Sequence, residues 1–327
     1  MTVVRGITIA FVLLSLPIAA VAEQHADPEQ LKAAVAANSL TGEGKQPFHI
    51  KINFTMLDMT GKEGESGTVE EWWAAPGVER IVVASPSLNY TIPGDGATAD
   101  VSVGREKYFV EKLLEQAVHP IPDIAQAPFP FNIVNRTFGN IQLSCYASRD
   151  ATIGINYCVD PKSNILRGEF ESNGFAVSRN SLGIYQATNV AMDISISLQG
   201  KEAISGKVVA LQSFNPATST LVLSKAPSPS VPTVGAKVTQ GKITYRTQPV
   251  FPFMAKAAHV GGTVVLLGRI TKQGNVADLL PLASPSPMLT NAAMDAVKQW
   301  TYQPYLLNGE PTDVETVISV NFNIASQ

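Results

Sequence analysis

Apolar and polar residues alternate one by one early in the chain. Phe48, Ile50, Ile52, Phe54 and Met56 are apolar, and His49, Lys51, Asn53 and Thr55 between them are polar. A period of two puts every apolar side chain on one face of an extended chain, so this segment predicts a half-buried strand. Asp58 to Gly61 supply a turn, and Thr68–Trp73 and Arg80–Ala84 predict two more strands. Pro93–Ala97 reads as a loop. The rhythm changes at Arg105–Val118, where Val110, Leu113, Leu114, Ala117 and Val118 form one helical stripe and His119-Pro120 ends it. An earlier helix begins near Pro28. Asp27 can cap it, Gln30 stands at the capping-box position, and Leu31, Ala34, Val35 and Ala36 follow with partial helical periodicity.

A proline-rich stretch, Pro120 to Pro130, interrupts the pattern. Short apolar runs then predict strands at Ile141–Tyr146, Ile155–Val159, Ile165–Phe170, Phe175–Ser178, Met192–Leu198 and Lys207–Ser213. Asp160-Pro161 and Gln199-Gly200-Lys201 provide turns. Strands that follow one another through short turns predict an antiparallel sheet. Ala226 to Gly235 alternates prolines with serine and valine and reads as a semi-stiff linker.

Beyond the linker the elements are distinct. Phe251 to Ala258 predicts a short helix broken by Gly261-Gly262. Thr263–Thr271 and Val276–Leu282 predict a hairpin around Lys272-Gln273-Gly274-Asn275. Ser286 caps a helix with Pro287 in its first turn, and Leu289, Ala292, Ala293, Ala296, Val297 and Trp300 make its apolar stripe. Asn308-Gly309 predicts a turn. In the last strand Val314, Thr316, Ile318, Val320, Phe322 and Ile324 face one way.

These elements come in the order of the TonB C-terminal domain, and specific residues carry the resemblance. They are Phe251-Pro252, Ala255, Gly262-Thr263-Val264, Gly274-Asn275-Val276, Ser284, and Leu289 to Ala293. They continue as Ala296-Val297, Trp300, Tyr302, Pro304 and Asn308-Gly309-Glu310-Pro311. The resemblance implies a small domain with a three-stranded antiparallel sheet packed with two helices. It also implies that the final strand is a sheet edge that accepts an extended peptide from an outer-membrane receptor. The matching positions run from Glu315 to Asn323, and Glu315, Val317, Ser319, Asn321 and Asn323 become the candidate partner-binding residues. The alternatives are an edge that pairs with a second copy, giving a homodimer, or one covered by the first domain. Trp300 and Tyr302 read as core, with receptor contact as the other reading.

There are departures from the family pattern. Met254 and Lys256 stand where acidic and Arg residues are usual, and Thr301 stands where a basic residue often follows the Trp. The long Pro- and Lys/Glu-rich spacer of energy transducers is missing, which puts force transduction in doubt but not partner binding. The preceding region, a helix followed by Pro47-Phe48-His49-Ile50-Lys51-Ile52-Asn53-Phe54 and antiparallel strands, resembles the half-barrel of LolA-like periplasmic lipoprotein carriers. That resemblance implies an alternative role as a carrier of lipid or lipoprotein. Trp72 and Trp73 must point to opposite faces of a strand, so one of them can line a concave surface.

Composition narrows the function. Of 327 residues 45% are hydrophobic and 16% charged, with net charge −3, which is globular and offers no basic stripe for nucleic acid. At the N-terminus Arg5, the apolar run Ile7–Ala20 and the Ala20-Val21-Ala22 site read as a signal peptide ending before Glu23. This implies export to the periplasm. The competing reading is an uncleaved inner-membrane anchor facing the periplasm, for which the apolar run is short. The expected organisation is therefore α+β. It comprises a signal peptide at 1–22, a mainly antiparallel β domain at 23–225, a linker at 226–236 and a TonB-type domain at 237–327.

Export permits disulfides, and Cys145 and Cys158 sit in strand-like runs on either side of the turn-rich Ala147–Gly154. A hairpin there would bring them together in a structural disulfide; the alternative is two free buried thiols. Without a nearby histidine they make a poor zinc site. His25, His49, His119 and His259 are scattered, Gly42–Lys45 lacks the length of a phosphate loop, and Glu70-Glu71 diverge on a strand. No catalytic residue, cofactor site or metal site is expected. The sequons at Asn53, Asn89 and Asn135 read as incidental.

Overall fold

A computed structural model describes residues 24–25, 28–92, 104–121, 131–138, 141–148, 155–171, 173–225, 238–239, 242–307 and 309–324. The expected signal peptide at 1–22, the Asp27 cap, the loop at 93–97, the linker at 226–236 and part of the expected turns at 147–154 and 308–309 lie outside these residues.

The N-terminal part contains β1 (Gln24–His25), α1 (Pro28–Asn38), β2 (Phe48–Leu57), β3 (Glu63–Ala75), β4 (Val78–Ala84), β5 (Asn89–Ile92) and α2 (Arg105–Val118). It continues with β6 (Phe131–Phe138), β7 (Ile141–Ser148), β8 (Asn156–Val159), β9 (Leu166–Phe170), β10 (Phe175–Tyr185), β11 (Thr188–Leu198), β12 (Lys201–Ser213) and β13 (Ser224–Lys225). All join one antiparallel sheet in the order β1-β6-β7-β8-β9-β10-β11-β12-β2-β3-β4-β13, with β5 beside β4. Neighbours in space are mostly neighbours in sequence, as short turns require. The exceptions are the two-residue strands β1 and β13, which pair with β6 and β4, and the long seam where β12 meets β2, with Ile204 opposite Met56 and Ser213 opposite Phe48.

Helix α2 is the centrepiece. Phe109, Val110, Leu113, Leu114, Ala117 and Val118 are buried against a core that includes Ile50, Ile52, Ile194, Ile196 and Ile204. Its close approach to β12 depends on Gly206: a Cβ there would lie 2.6 Å from a Leu113 methyl carbon. Beside it, buried Asn38 at the end of α1 donates to the Ala34 and Asn164 carbonyls and accepts from the Leu166 amide at 2.9 Å. One side chain thus ties α1 to β9 and satisfies backbone groups that would otherwise be stranded. Cys145 and Cys158 face each other across β7 and β8 and are joined by a disulfide.

The C-terminal part comprises β14 (Val238–Thr239), β15 (Ile243–Tyr245), α3 (Phe253–Ala257), β16 (Gly262–Ile270), β17 (Val276–Ala283) and α4 (Pro287–Val297). The last pieces are β18 (Thr301–Tyr302), β19 (Tyr305–Leu307), β20 (Glu310–Thr312) and β21 (Val314–Phe322). The main sheet has the order β17-β16-β21, all antiparallel. Ser286 caps α4, its hydroxyl accepting from the Leu289 amide at 3.3 Å, with Pro287 in the first turn. In the β16–β17 turn Gly274 has φ +86°, and a Cβ there would collide with the Tyr302 carbonyl, so only glycine fits.

Both faces of this small sheet are buried. Val264, Leu266, Val320 and Phe322 meet Leu289, Ala293 and Val297 of α4 and Ala255 of α3. On the opposite face Val265, Leu267 and Leu282 enter the core built around α2. Arg105 at the start of α2 clasps the contact, donating from Nε to the Leu282 carbonyl at 3.0 Å and from Nη1 to the Leu57 carbonyl at 2.8 Å. Helix α2 is therefore a layer shared by the two sheets. The architecture is α+β, mostly antiparallel sheet with four helices among the described residues.

Candidate functional site

Strand β21 begins from its own alternation. Val314, Ile318, Val320 and Phe322 are buried in the small core. Along its length it pairs with β16, from Gly262 opposite Phe322 to Ile270 opposite Val314. Successive residues of a strand direct their N–H and C=O groups to alternate sides, so half of those of β21 meet β16 and half face outward. Among the described residues no backbone group pairs with that outward side.

The five candidate residues take different positions on this strand. Ser319 and Asn321 are exposed, opposite Val265 and Thr263. Asn323 is exposed just past the strand end. Glu315 is half-buried opposite Arg269, and its charge reaches Glu111 of α2. Val317 packs against the core around α2 instead of facing solvent, because the first part of the chain covers this end of the sheet face. Near the strand's start Arg269 binds Asp278 and Asp313, and the Lys272 amide, then the Arg269 guanidinium, hold the Asp313 carboxyl below the usual range. Trp300 and Tyr302 lie in the small core, with Trp300 Nε1 donating to the Thr247 carbonyl at 2.8 Å. Arg246 covers the Trp300 ring at 4.7 Å.

A second feature lies under α2. Where β3, β4 and β5 curve past the helix they leave a cavity of about 510 Å³. Its walls include Val69, Trp73, Ile81 and Val83 from the sheet and Val110 and Leu114 from the helix. Trp73 is buried, whereas Trp72 turns to the outer face and stacks on His49 at 4.4 Å. The two adjacent glutamates diverge in the same way. Glu70 on the outer face accepts from Lys51 at 2.9 Å and lies 2.9 Å from His49. Glu71 points inward, is 3% exposed, and its Oε2 has no hydrogen-bond partner. Burial, and then the charge of nearby Glu79, push the Glu71 carboxyl up to about 8. Period-two reading already places Glu71 on the apolar face between Val69 and Trp73, which is the signal that could have singled it out.

Among the described residues no group of three or more His, Cys, Asp and Glu could hold a metal ion, and no helix is long and apolar enough to cross a membrane.

Comparison with known proteins adds a family to this geometry. Residues 247–324 match the model of the Gram-negative bacterial TonB protein C-terminal family. Protein TonB of Vibrio cholerae serotype O1 is 29% identical over 83 residues, covering 25% of this chain and 34% of that protein. The match therefore spans about a third of that relative's length. Among solved structures, a putative outer membrane lipoprotein-sorting protein domain from Vibrio parahaemolyticus is 8% identical with a TM-score of 0.36, covering 58% of this chain and 92% of its own. A LolA superfamily protein from Nitrosomonas europaea is 6% identical with a TM-score of 0.35, covering 56% of this chain and 93% of its own. The family match coincides with the small sheet and its two helices, and residues 247–324 carry a TonB-type C-terminal domain.

Proposed function

We propose that this protein is a binding module of the cell envelope that takes up an extended segment of a protein partner along β21. The observation that carries the reading is a strand edge that no described residue pairs, on a sheet packed on one face against α3 and α4 and over part of the other against the core around α2. Such an edge is already held in extended form by its pairing with β16, so strand addition costs little ordering on this side. Main-chain hydrogen bonds would supply affinity, and Glu315, Ser319, Asn321 and Asn323 would supply selectivity. A TonB-dependent outer-membrane receptor is the partner the family suggests, in transport or a related envelope function. Export to the periplasm by the N-terminal segment belongs to the same reading.

The test is binding of a synthetic periplasmic segment of such a receptor, followed by calorimetry, to the wild-type chain and to Ser319→Pro. Proline removes a main-chain donor and crowds the neighbouring strand, so binding should be lost. Undiminished binding by a folded Ser319→Pro protein would refute strand addition. Concentration-dependent self-association that disappears in the same variant would assign the edge to a second copy instead.

The cavity under α2 favours a second reading, in which the N-terminal part carries a lipid or an acylated protein. At about 510 Å³ the cavity falls in the usual size range of small-molecule sites.

A further inference from the structure

The ionisable groups around the cavity are unevenly distributed. Among the described residues Glu71, Glu79, Glu111 and Glu115 line it, His119 is the one titratable group of basic type, and no Lys or Arg contributes to the wall. Two of the carboxylates are engaged: Lys112 lies 2.7 Å from Glu115, and Lys107 lies 3.9 Å from Glu111, which Tyr90 also reaches at 3.5 Å. The other two share one face of the β3–β4 hairpin. The register sets Trp73 opposite Glu79 and Glu71 opposite Ile81, which makes Glu71 and Glu79 diagonal neighbours. Diagonal pairs stand about 7–8 Å apart, close enough for both carboxyls to reach one small group between them.

Glu71 is the decisive residue. A carboxyl 3% exposed between Val69 and Trp73, with an oxygen that accepts no hydrogen bond, has a standing desolvation cost with no compensation inside the protein. A cation delivered into the cavity would supply the missing partner. The remaining wall is aliphatic and aromatic and suits a hydrocarbon chain.

We infer that the cavity binds an organic cation carrying an apolar chain, its ammonium or guanidinium head held between Glu71 and Glu79 and its chain lying along Val69, Val83, Val110 and Leu114. The inference rests on the carrier reading of the N-terminal part and narrows its cargo. Binding is also a proton exchange. In the empty cavity at neutral pH Glu71 holds its proton, and an entering ammonium displaces it, so that one proton is released for each cation bound. Glu79 faces the same space with a carboxyl raised by burial, and the Glu111 carboxyl is raised likewise.

Three twelve-carbon probes, dodecylammonium, dodecanol and dodecanoate, separate the outcomes when titrated below their aggregation limits and followed by tryptophan fluorescence and calorimetry. The expected result is that dodecylammonium binds at least about ten-fold tighter than the other two. Glu71→Gln should weaken it by about ten-fold while leaving dodecanol unchanged. Calorimetry in buffers of different ionisation enthalpy should register proton release in the wild type and its reduction in the variant. Equal binding of all three probes, or preference for dodecanoate, overturns the cation assignment and leaves the carrier reading standing. Binding of none overturns both. Should Glu71→Gln fail to fold, Glu79→Gln carries the same comparison from a half-buried position, and unchanged dodecylammonium affinity there refutes the assignment.

Discussion

Replacing Glu71 by Gln should change how stability depends on pH. The amide has the shape of the protonated carboxyl and cannot ionise, so the substitution isolates the cost of a buried charge. In the folded protein the carboxyl is pushed up to about 8, while in the unfolded chain it returns to the ordinary glutamate range. Between those limits the folded state holds a proton that the unfolded state has released. Stability is therefore highest below the ordinary range and falls as pH rises toward 8, by about 1.4 kcal/mol per pH unit for this group. From pH 5 to pH 7 the wild type should lose about 3 kcal/mol relative to Glu71→Gln. Glu169, buried and also raised to about 8, is present in both proteins and cancels in the comparison. So do Asp58, Asp160 and Asp313, whose lowered values matter only as the acid limit is approached. Urea unfolding at pH 5, 6 and 7 gives the difference directly, provided the slopes with urea agree between the proteins. Parallel stability profiles for wild type and variant would show that Glu71 does not titrate as a buried acid, and the reasoning would fail.

Two further outcomes follow from other parts of the fold. Leu267 is 4% exposed where the small sheet enters the α2 core, so Leu267→Ala should cost about 2–5 kcal/mol. Because the loss falls on the contact between the two sheets, calorimetric unfolding should broaden or split, and an unchanged single transition would deny the coupling. Reducing the Cys145–Cys158 bond, which closes a loop with a sequence separation of 13, should destabilise the chain by about 2–4 kcal/mol, read as a lower melting temperature with dithiothreitol. No change would mean the bond closes a region that unfolds independently.

Alternation revealed burial better than it revealed pairing. The buried strand Phe48–Leu57 and the helix Arg105–Val118 are legible because one face of each is apolar throughout. Strand β10 is expected only over Phe175–Ser178, whereas it runs to Tyr185, since its second half is only partly buried, with Leu182 and Tyr185 against the core and Ile184 79% exposed. Likewise β11 and β12 begin earlier than their apolar runs suggest. Strand β6 escapes notice because no side of it is consistently buried. The short helix is narrower than expected, Phe253–Ala257 within the span from Phe251 to Ala258. The strand edge of the candidate site is legible through the resemblance. The docking of the opposite sheet face on α2, which partly buries Val317, is not, because no local pattern encodes a contact between residues so distant in sequence.

The seam between β2 and β12 also governs the order in which the protein can form. During synthesis β2 finds β3 and β4 at once, and β9 to β12 assemble among themselves, but the two half-sheets cannot join until Ser213 has been made to lie opposite Phe48. Until then both halves present an open edge. Such long-range closure is slow and exposes the nascent chain to wrong pairings. A joining step of high sequence separation, with residues 48–56 meeting residues 204–213, is the kinetic consequence of where the sheet is stitched.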